Sequence, residues 1–295
     1  MEVFWLGHSD CHDVNQVGAK AANLSRLAAS YHIPPGFCVT AAAYCQWAAF
    51  RGSGELASPT PSIPLALYKT LASAYRGLAD MCGVSDLSVA VRSSAVDEDG
   101  VSVSFAGQHE TYLNIVGVDA VAETVIRCWA SVRTERALAY RQRQGLSVAG
   151  VRVAVLVQQL VLADASAVVF SANPVTGSRD EVWINASWGL GESIVNGTVT
   201  PDTYVIRKSD LAVVSCDIAE KRRMTGLAHK GTHEVPVPRR HQKAPSLDDE
   251  QVAELARLGM ALESTMGWPV DVECAYRGRE LYLLQCRPIT TLGAF

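Results

Sequence analysis

The chain has 295 residues, 48% of them hydrophobic and 19% charged, with a formal net charge of -4. That length supports a large core in one large or two ordinary domains, while the acidic balance gives no global reason to expect nucleic-acid binding and no run of eighteen apolar residues suggests a membrane span. Eight cysteines without a CxxC pair indicate neither a zinc site nor a disulfide framework, and an N-terminus lacking the basic-then-apolar order of a signal peptide reads as cytoplasmic.

Residues 17–30 place Val17, Ala21, Leu24 and Ala28 at spacings of three and four, which predicts an amphipathic helix with Lys20 near its start. A lysine there is either a solvent charge or, beside Gly18, a partner for a phosphate approached by backbone amides. Thr40 is the expected N-cap of a helix through Phe50, residues 51–64 are a Gly/Ser/Pro-rich loop, and 65–80 form another helix. Residues 87–94 alternate as a strand that delivers Arg92 beside Asp97, Glu98 and Asp99. Its planar fork suits phosphate oxygens or, alternatively, pairs with those acids. Residues 104–115 begin as a glycine loop and continue as a strand. Residues 118–145 predict one long helix with Arg133, Arg136, Arg141 and Arg143 on its wet face.

From residue 151 the pattern turns to strands, at 151–161, 165–171 and 181–188. Gln158 and Gln159 interrupt the first of these. A buried glutamine needs a hydrogen-bond partner, and a purine edge could supply one. The turn at 188–193 contains Gly189 and Gly191, but Ile194 stands where GxGxxG needs its third glycine and no Walker-type motif occurs, which argues against Rossmann and P-loop readings. Strands at 203–207 and 212–216 follow a Thr200-Pro201-Asp202 turn. Residues 220–245 read as a polar, mobile loop whose basic cluster, Arg239, Arg240, His241 and Lys243, meets solvent. Ser246 then caps a helix at 247–266.

Residues 269–288 predict a closing hairpin, with Val270, Val272 and Cys274 alternating with Asp271 and Glu273 around Arg277-Gly278-Arg279. A two-residue loop would put Glu273 and Gln285 on opposite faces. A three-residue loop with Gly278 at positive φ would pair Tyr276 with Glu280, Asp271 with Gln285 and Glu273 with Leu283. Asp271, Glu273, Gln285 and Arg287 would then share one face. Hard oxygen donors and a guanidinium suit a metal-bound nucleotide; the alternative is a polar face that merely meets solvent.

Five segments, VGAKAANL (17–24), VRSSAVDED (91–99), SFAGQHETYLN (104–114), NASWGLGESIVNGTVTPD (185–202) and DVECAYRGRELYLLQCRPIT (271–290), together resemble the ATP-binding domain of the phosphoenolpyruvate synthase, pyruvate phosphate dikinase and rifampin phosphotransferase family. The order and spacing of the segments carry the resemblance. It implies an α+β chain of ATP-grasp fold, with two mainly antiparallel lobes and an ATP cleft between them, residues 1–190 forming the first lobe and 191–295 the second. It implies that Lys20, Arg92 and Arg287 act on the phosphates, that Gly107 and Thr111 belong to the loop over them, and that Gln158 lies near the adenine. Glu273 and Gln285 are the implied ligands of Mg2+ or Mn2+, with ATP as substrate. The family's chemistry converts ATP to AMP, the terminal phosphate leaving as orthophosphate or going to a second acceptor, and the β-phosphate passing to a histidine in a Ser-His motif of a swivelling domain.

None of the seven histidines lies in such a motif, and the sequence contains neither that domain nor a phosphoenolpyruvate barrel. His109, where relatives often carry glutamine, reads as a loop variant. The expectation is therefore the ATP-binding subunit of a split dikinase, as in subunit-divided relatives such as phenylphosphate synthase. Its partners are a separate protein with the phosphorylatable histidine and a small-molecule acceptor, without nucleic acid or membrane. A stand-alone small-molecule kinase or ATPase and a non-catalytic ATP-binding module are the alternatives.

Overall fold

The structure, a computed structural model, describes residues 2–52, 63–96, 111–143 and 150–290. It comprises two compact units, Met1–Ser30 with Pro34–Leu160 and His229–Gly231, and Tyr31–Ile33 with Val161–Ala228 and Thr232–Phe295. The chain's main passage from one to the other falls at Leu160/Val161, whereas the sequence places it near 190. The displaced segment belongs with the second unit because its two strands hydrogen-bond there on both sides.

The first unit contains β1 (Val3–Trp5), α1 (Val14–Leu27), β2 (Gly36–Val39), α2 (Ala41–Gly52), α3 (Leu65–Cys82), β3 (Ser88–Ala95), β4 (Thr111–Val116), α4 (Val118–Ser131), α5 (Glu135–Arg143) and β5 (Val153–Gln159). Its antiparallel sheet runs β1-β2-β5-β3-β4. Alternate valines of β3 and β5, Val89, Val91, Val153, Val155 and Val157, join Trp47, Leu71, Leu78, Val125 and Trp129 of the helices in one core. The long helix expected at 118–145 is two helices. Val132 ends α4, and the Thr134 hydroxyl accepts the Ala137 amide while donating to the Ser131 carbonyl, so it offers α5 an N-cap and the chain a local alternative to continuing. Arg141, expected on the wet face, is buried.

The second unit contains β6 (Ala165–Phe170), β7 (Glu181–Trp188), α6 (Glu192–Val195), β8 (Asp202–Arg207), β9 (Val213–Asp217), β10 (Arg223–Leu227), β11 (Thr232–Pro236), α7 (Asp249–Met266), β12 (Val270–Arg277) and β13 (Glu280–Pro288). Six strands form an antiparallel sheet in the order β13-β12-β6-β7-β8-β9. Buried Val252, Leu255 and Leu262 of α7 lie on the side of the sheet that carries buried Val169, Val182, Ile184, Val272 and Cys274. The other side stays partly exposed. Among the described residues the named strands pair with one another antiparallel, which together with separate helices makes the chain α+β, as expected.

Residues 220–245 are not a plain loop. They form the β10–β11 hairpin, whose Thr225 bridges to Gly189 and Leu190, a backbone partner far away in sequence. Ser246 does not cap α7. Asp248 does, through a reciprocal capping box with Gln251, while the Ser246 amide and hydroxyl both donate to Asp202 Oδ2. Asp202 Oδ1 takes the Ala219 amide at 3.0 Å and the Lys221 ammonium, a fully buried ion pair. Among the described residues no helix is long and apolar enough to cross a membrane.

A buried pair costs little while both partners are present and much when one is removed. Lys221→Met leaves Asp202 charged, buried and short of its cation, so the urea midpoint should report a loss of about 3–5 kcal/mol. A loss below about 1 kcal/mol would show that the pair is not the junction described here.

Candidate functional site

In the first unit the polar residues gather on the sheet face opposite the helical core. Arg92 of β3 lies directly across from Thr111 of β4 on one side and Leu156 of β5 on the other, and Gln158 stands two residues along the same face of β5. Helix α1 packs on β3 and β5. Its Gly18 takes φ +73°, and a Cβ there would sit 2.3 Å from the Ser94 carbonyl oxygen, so only glycine allows this approach. The Ser94 hydroxyl fastens the junction, donating to the Val17 carbonyl at 2.7 Å and accepting the Ala21 amide at 3.3 Å. Lys20 is thereby drawn in, buried, with Nζ donating to the Ser93 carbonyl at 3.1 Å. Two buried cations, Lys20 and Arg92, thus come from elements far apart in sequence. Gln158 is 1% exposed and its Nε2 donates to the Pro34 carbonyl at 2.9 Å. Gly107 lies outside the described residues, as do His109 and the acidic trio 97–99.

In the second unit the hairpin corrects the expected turn. Arg277 pairs with Glu280, so the loop is the two residues Gly278 and Arg279, with Gly278 at φ +61° in the lead position that tight hairpin turns favour. The loop is short because it is held from outside. The Asp164 amide donates to the Tyr276 carbonyl at 2.8 Å, and the Asp164 carboxylate accepts the Gly278 amide at 2.7 Å. Alone, this turn would put Glu273 and Gln285 on opposite faces. A bulge between Glu273 and Cys274 inserts Leu284 as an extra residue and restores the parity. Glu273 therefore faces Gln285 directly, and Asp271 faces Arg287, in place of the Asp271–Gln285 and Glu273–Leu283 pairs expected from sequence. All four side chains share the half-exposed face, across the sheet from α7.

Asp271 has a larger part than its sequence context suggests. Both Arg287 Nε and Nη2 donate to its Oδ2 at 2.8 Å, which orients the guanidinium. Its Oδ1 is buried and has no hydrogen-bond partner among the described residues. Burial pushes its pKa up to about 6; Arg287 pulls it down and Glu273 adds to the rise. An i, i+2 acid pair on one strand, facing an i, i+2 Gln and Arg on the next, is the sequence signal for this arrangement.

The donor set fits a hard divalent cation. Glu273 offers a carboxylate, Gln285 an amide oxygen opposite it, and the bare Asp271 Oδ1 lies on the same face. Mg2+ characteristically takes only one or two carboxylates and completes its shell with water and phosphate. Among the described residues no group of three or more His, Cys, Asp or Glu could hold a metal alone, so this face suits a metal that arrives with a phosphate ligand.

Residues 59–294 match the family described as pyruvate phosphate dikinase, AMP/ATP-binding domain. The chain belongs to that family. The match includes Arg92, Thr111, Gln158 and the whole hairpin, and full-length relatives extend the similarity over most of the remaining N-terminal part. A probable phosphoenolpyruvate synthase of Methanocaldococcus jannaschii is 39% identical over 98% of this chain and 27% of its own length. The phosphoenolpyruvate synthase of Pyrococcus furiosus is 36% identical over 98% of this chain and 44% of its own length. A rifampicin phosphotransferase of Streptomyces sviceus is 38% identical over 97% of this chain and 36% of its own length. This family member therefore spans between about a quarter and somewhat under half of those relatives.

For this dikinase-family domain the raised Asp271 pKa has a testable sign. A carboxyl that holds its proton more tightly when folded adds stability below its unfolded pKa near 4, and that contribution is lost as pH rises through about 6. Denaturant titrations between pH 4 and 7 should show the parent losing stability relative to Asp271→Asn as pH rises, by roughly 1.4 kcal/mol for each tenfold gain in proton affinity on folding. A difference that stays flat across this range contradicts the raised value.

Proposed function

We propose that the chain is the ATP-binding and phosphoryl-transfer part of a dikinase-type phosphotransferase with ATP-grasp architecture, its two units serving as the lobes. The observation that carries this reading is the hairpin face, where Glu273 opposes Gln285 and Asp271 orients Arg287. Family membership and the relatives named phosphoenolpyruvate synthase and rifampicin phosphotransferase support it. In this reading ATP is the substrate. Lys20, Arg92 and Arg287 bind the phosphates and stabilise charge during transfer, Thr111 and Gly107 belong to the phosphate loop, and Gln158 holds the strand end beside the adenine.

Glu273 and Gln285 would hold Mg2+ or Mn2+, which when bound neutralises charge on the phosphate oxygens. The guanidinium of Arg287, already oriented by Asp271, meets the transferring group without having to reorganise, which is the usual source of electrostatic catalysis. ATP and one water yield AMP and orthophosphate, water taking the γ-phosphoryl while the β-phosphoryl passes to a histidine on a separate protein and then to a small-molecule acceptor. The reaction is proposed to take place in the cytoplasm.

The test combines the purified chain, Mg-ATP and a protein bearing the Ser-His swivelling domain, followed by phosphorus NMR. AMP and orthophosphate should appear together, with phosphate on the partner's histidine. Glu273→Ala and Arg287→Ala should each slow this transfer about 100-fold or more. Production of ADP by the chain and a metabolite alone would replace the proposal with a stand-alone kinase, and tight ATP binding with no turnover would reduce the chain to a binding module.

A further inference from the structure

The face that carries Glu273 and Gln285 continues across the sheet. Glu273 pairs with Val168 of β6, Val168 with Asn185 of β7, Asn185 with Thr203 of β8, and Thr203 with Asp217 of β9. Residues directly opposite share a face, so Gln285, Glu273, Val168, Asn185, Thr203 and Asp217 form one row. Val168, Asn185 and Thr203 are each only half-buried. Strands lie about 4.8 Å apart, which puts Asn185 roughly 10 Å from Glu273, within reach of an extended nucleotide.

The orientation of the Asn185 amide is fixed by its neighbours. Trp183 Nε1 and Thr203 Oγ1 both approach Asn185 Oδ1, each at 3.1 Å. An indole N–H can only donate, so the atom facing it must be the amide oxygen. With Oδ1 taken by two donors, the Nδ2 group is turned away from both. Among the described residues no hydrogen bond engages it. The strand thus presents a pre-oriented pair of neutral donors on the same partly exposed face as Glu273 and Gln285, and Val168 between them offers no side chain that competes for a hydrogen bond.

Resting on the ATP-binding reading above, we propose that Asn185 is a further nucleotide-binding residue, donating through Nδ2 to an acceptor oxygen of ATP, either a ribose hydroxyl or a phosphate oxygen. The site gains a third anchor away from the metal and Arg287. Asn185 then fixes how the nucleotide lies across the sheet.

Calorimetric titration of Mg-ATP into the parent, Asn185→Asp and Asn185→Leu tests the assignment. Asn185→Asp keeps the oxygen that Trp183 and Thr203 need while replacing the donors with an acceptor and adding a negative charge, so it should fold as the parent does even if Asn185→Leu does not. The ATP affinity of Asn185→Asp should fall about tenfold, as expected for one lost hydrogen bond and the acceptor left unpaired. Asn185→Leu, which removes the donors without adding charge, should show the same loss if it folds. The Asn185→Asp loss should persist in 0.5 M KCl, where a charge acting from a distance is screened. An equal loss for tripolyphosphate identifies a phosphate oxygen. Unchanged tripolyphosphate binding, with the variant no longer distinguishing ATP from 2′-deoxy- or 3′-deoxy-ATP, identifies a ribose hydroxyl. ATP affinities within twofold of the parent, or an Asn185→Asp loss that vanishes in salt, overturn the proposal. Failure of the parent itself to bind Mg-ATP overturns the proposed function instead, and this inference with it.

Discussion

In an antiparallel hairpin the turn length sets the pairing along both strands, and a shift of one residue moves every side chain of one strand to the other face. The Gly278-Arg279 turn would by itself separate Glu273 from Gln285. The single extra residue, Leu284, reverses that consequence a few residues from the turn. The shared face of Asp271, Glu273, Gln285 and Arg287 depends on this bulge. It brings two carboxylates, an amide and a guanidinium to one surface while Val272, Cys274 and Cys286 remain buried on the other side, with α7. Bulges commonly sit beside sites because they re-aim side chains without breaking the sheet.

The same economy appears in the first unit. Gly18 and Ser94 bring a helix and a strand closer than any side chain at 18 would permit, and Lys20 follows the helix into place. Each unit by itself carries different chemistry, buried cations in one and hard oxygen donors with an oriented guanidinium in the other. Each set stands on regular elements rather than on free loops, which favours pre-organisation over adaptation. Asp202 performs a purely structural version of this task, gathering Ala219, Lys221 and Ser246 around one buried carboxylate.

Burial also sets the charge state of the hairpin. Asp271 stays protonated further up the pH scale because desolvation outweighs the help of Arg287. The thiols behind it, Cys274 and Cys286, are likewise held neutral by burial, Cys286 up to about 12. All eight cysteines are free, and Cys274 and Cys286 are buried, packing as small core residues.

Much was legible in the order of residues. Alternation located most strands of the two large sheets, helical spacing located α1, α3 and α7, and the order of five motifs pointed to the family. The roles of Lys20, Arg92, Glu273, Gln285 and Arg287 rest on that family resemblance and stay proposals. These signals are local, and local periodicity survives in sequence. What required tertiary structure was the choice between locally equivalent options. Asp164 selected the two-residue turn, a distant Gly189–Leu190 backbone turned residues 223–236 into a hairpin, Asp202 took Ser246 away from the helix it was expected to cap, and Pro34 occupied the Gln158 amide. Each was decided by a hydrogen bond to a residue remote in sequence, and no window of neighbouring residues contains that partner.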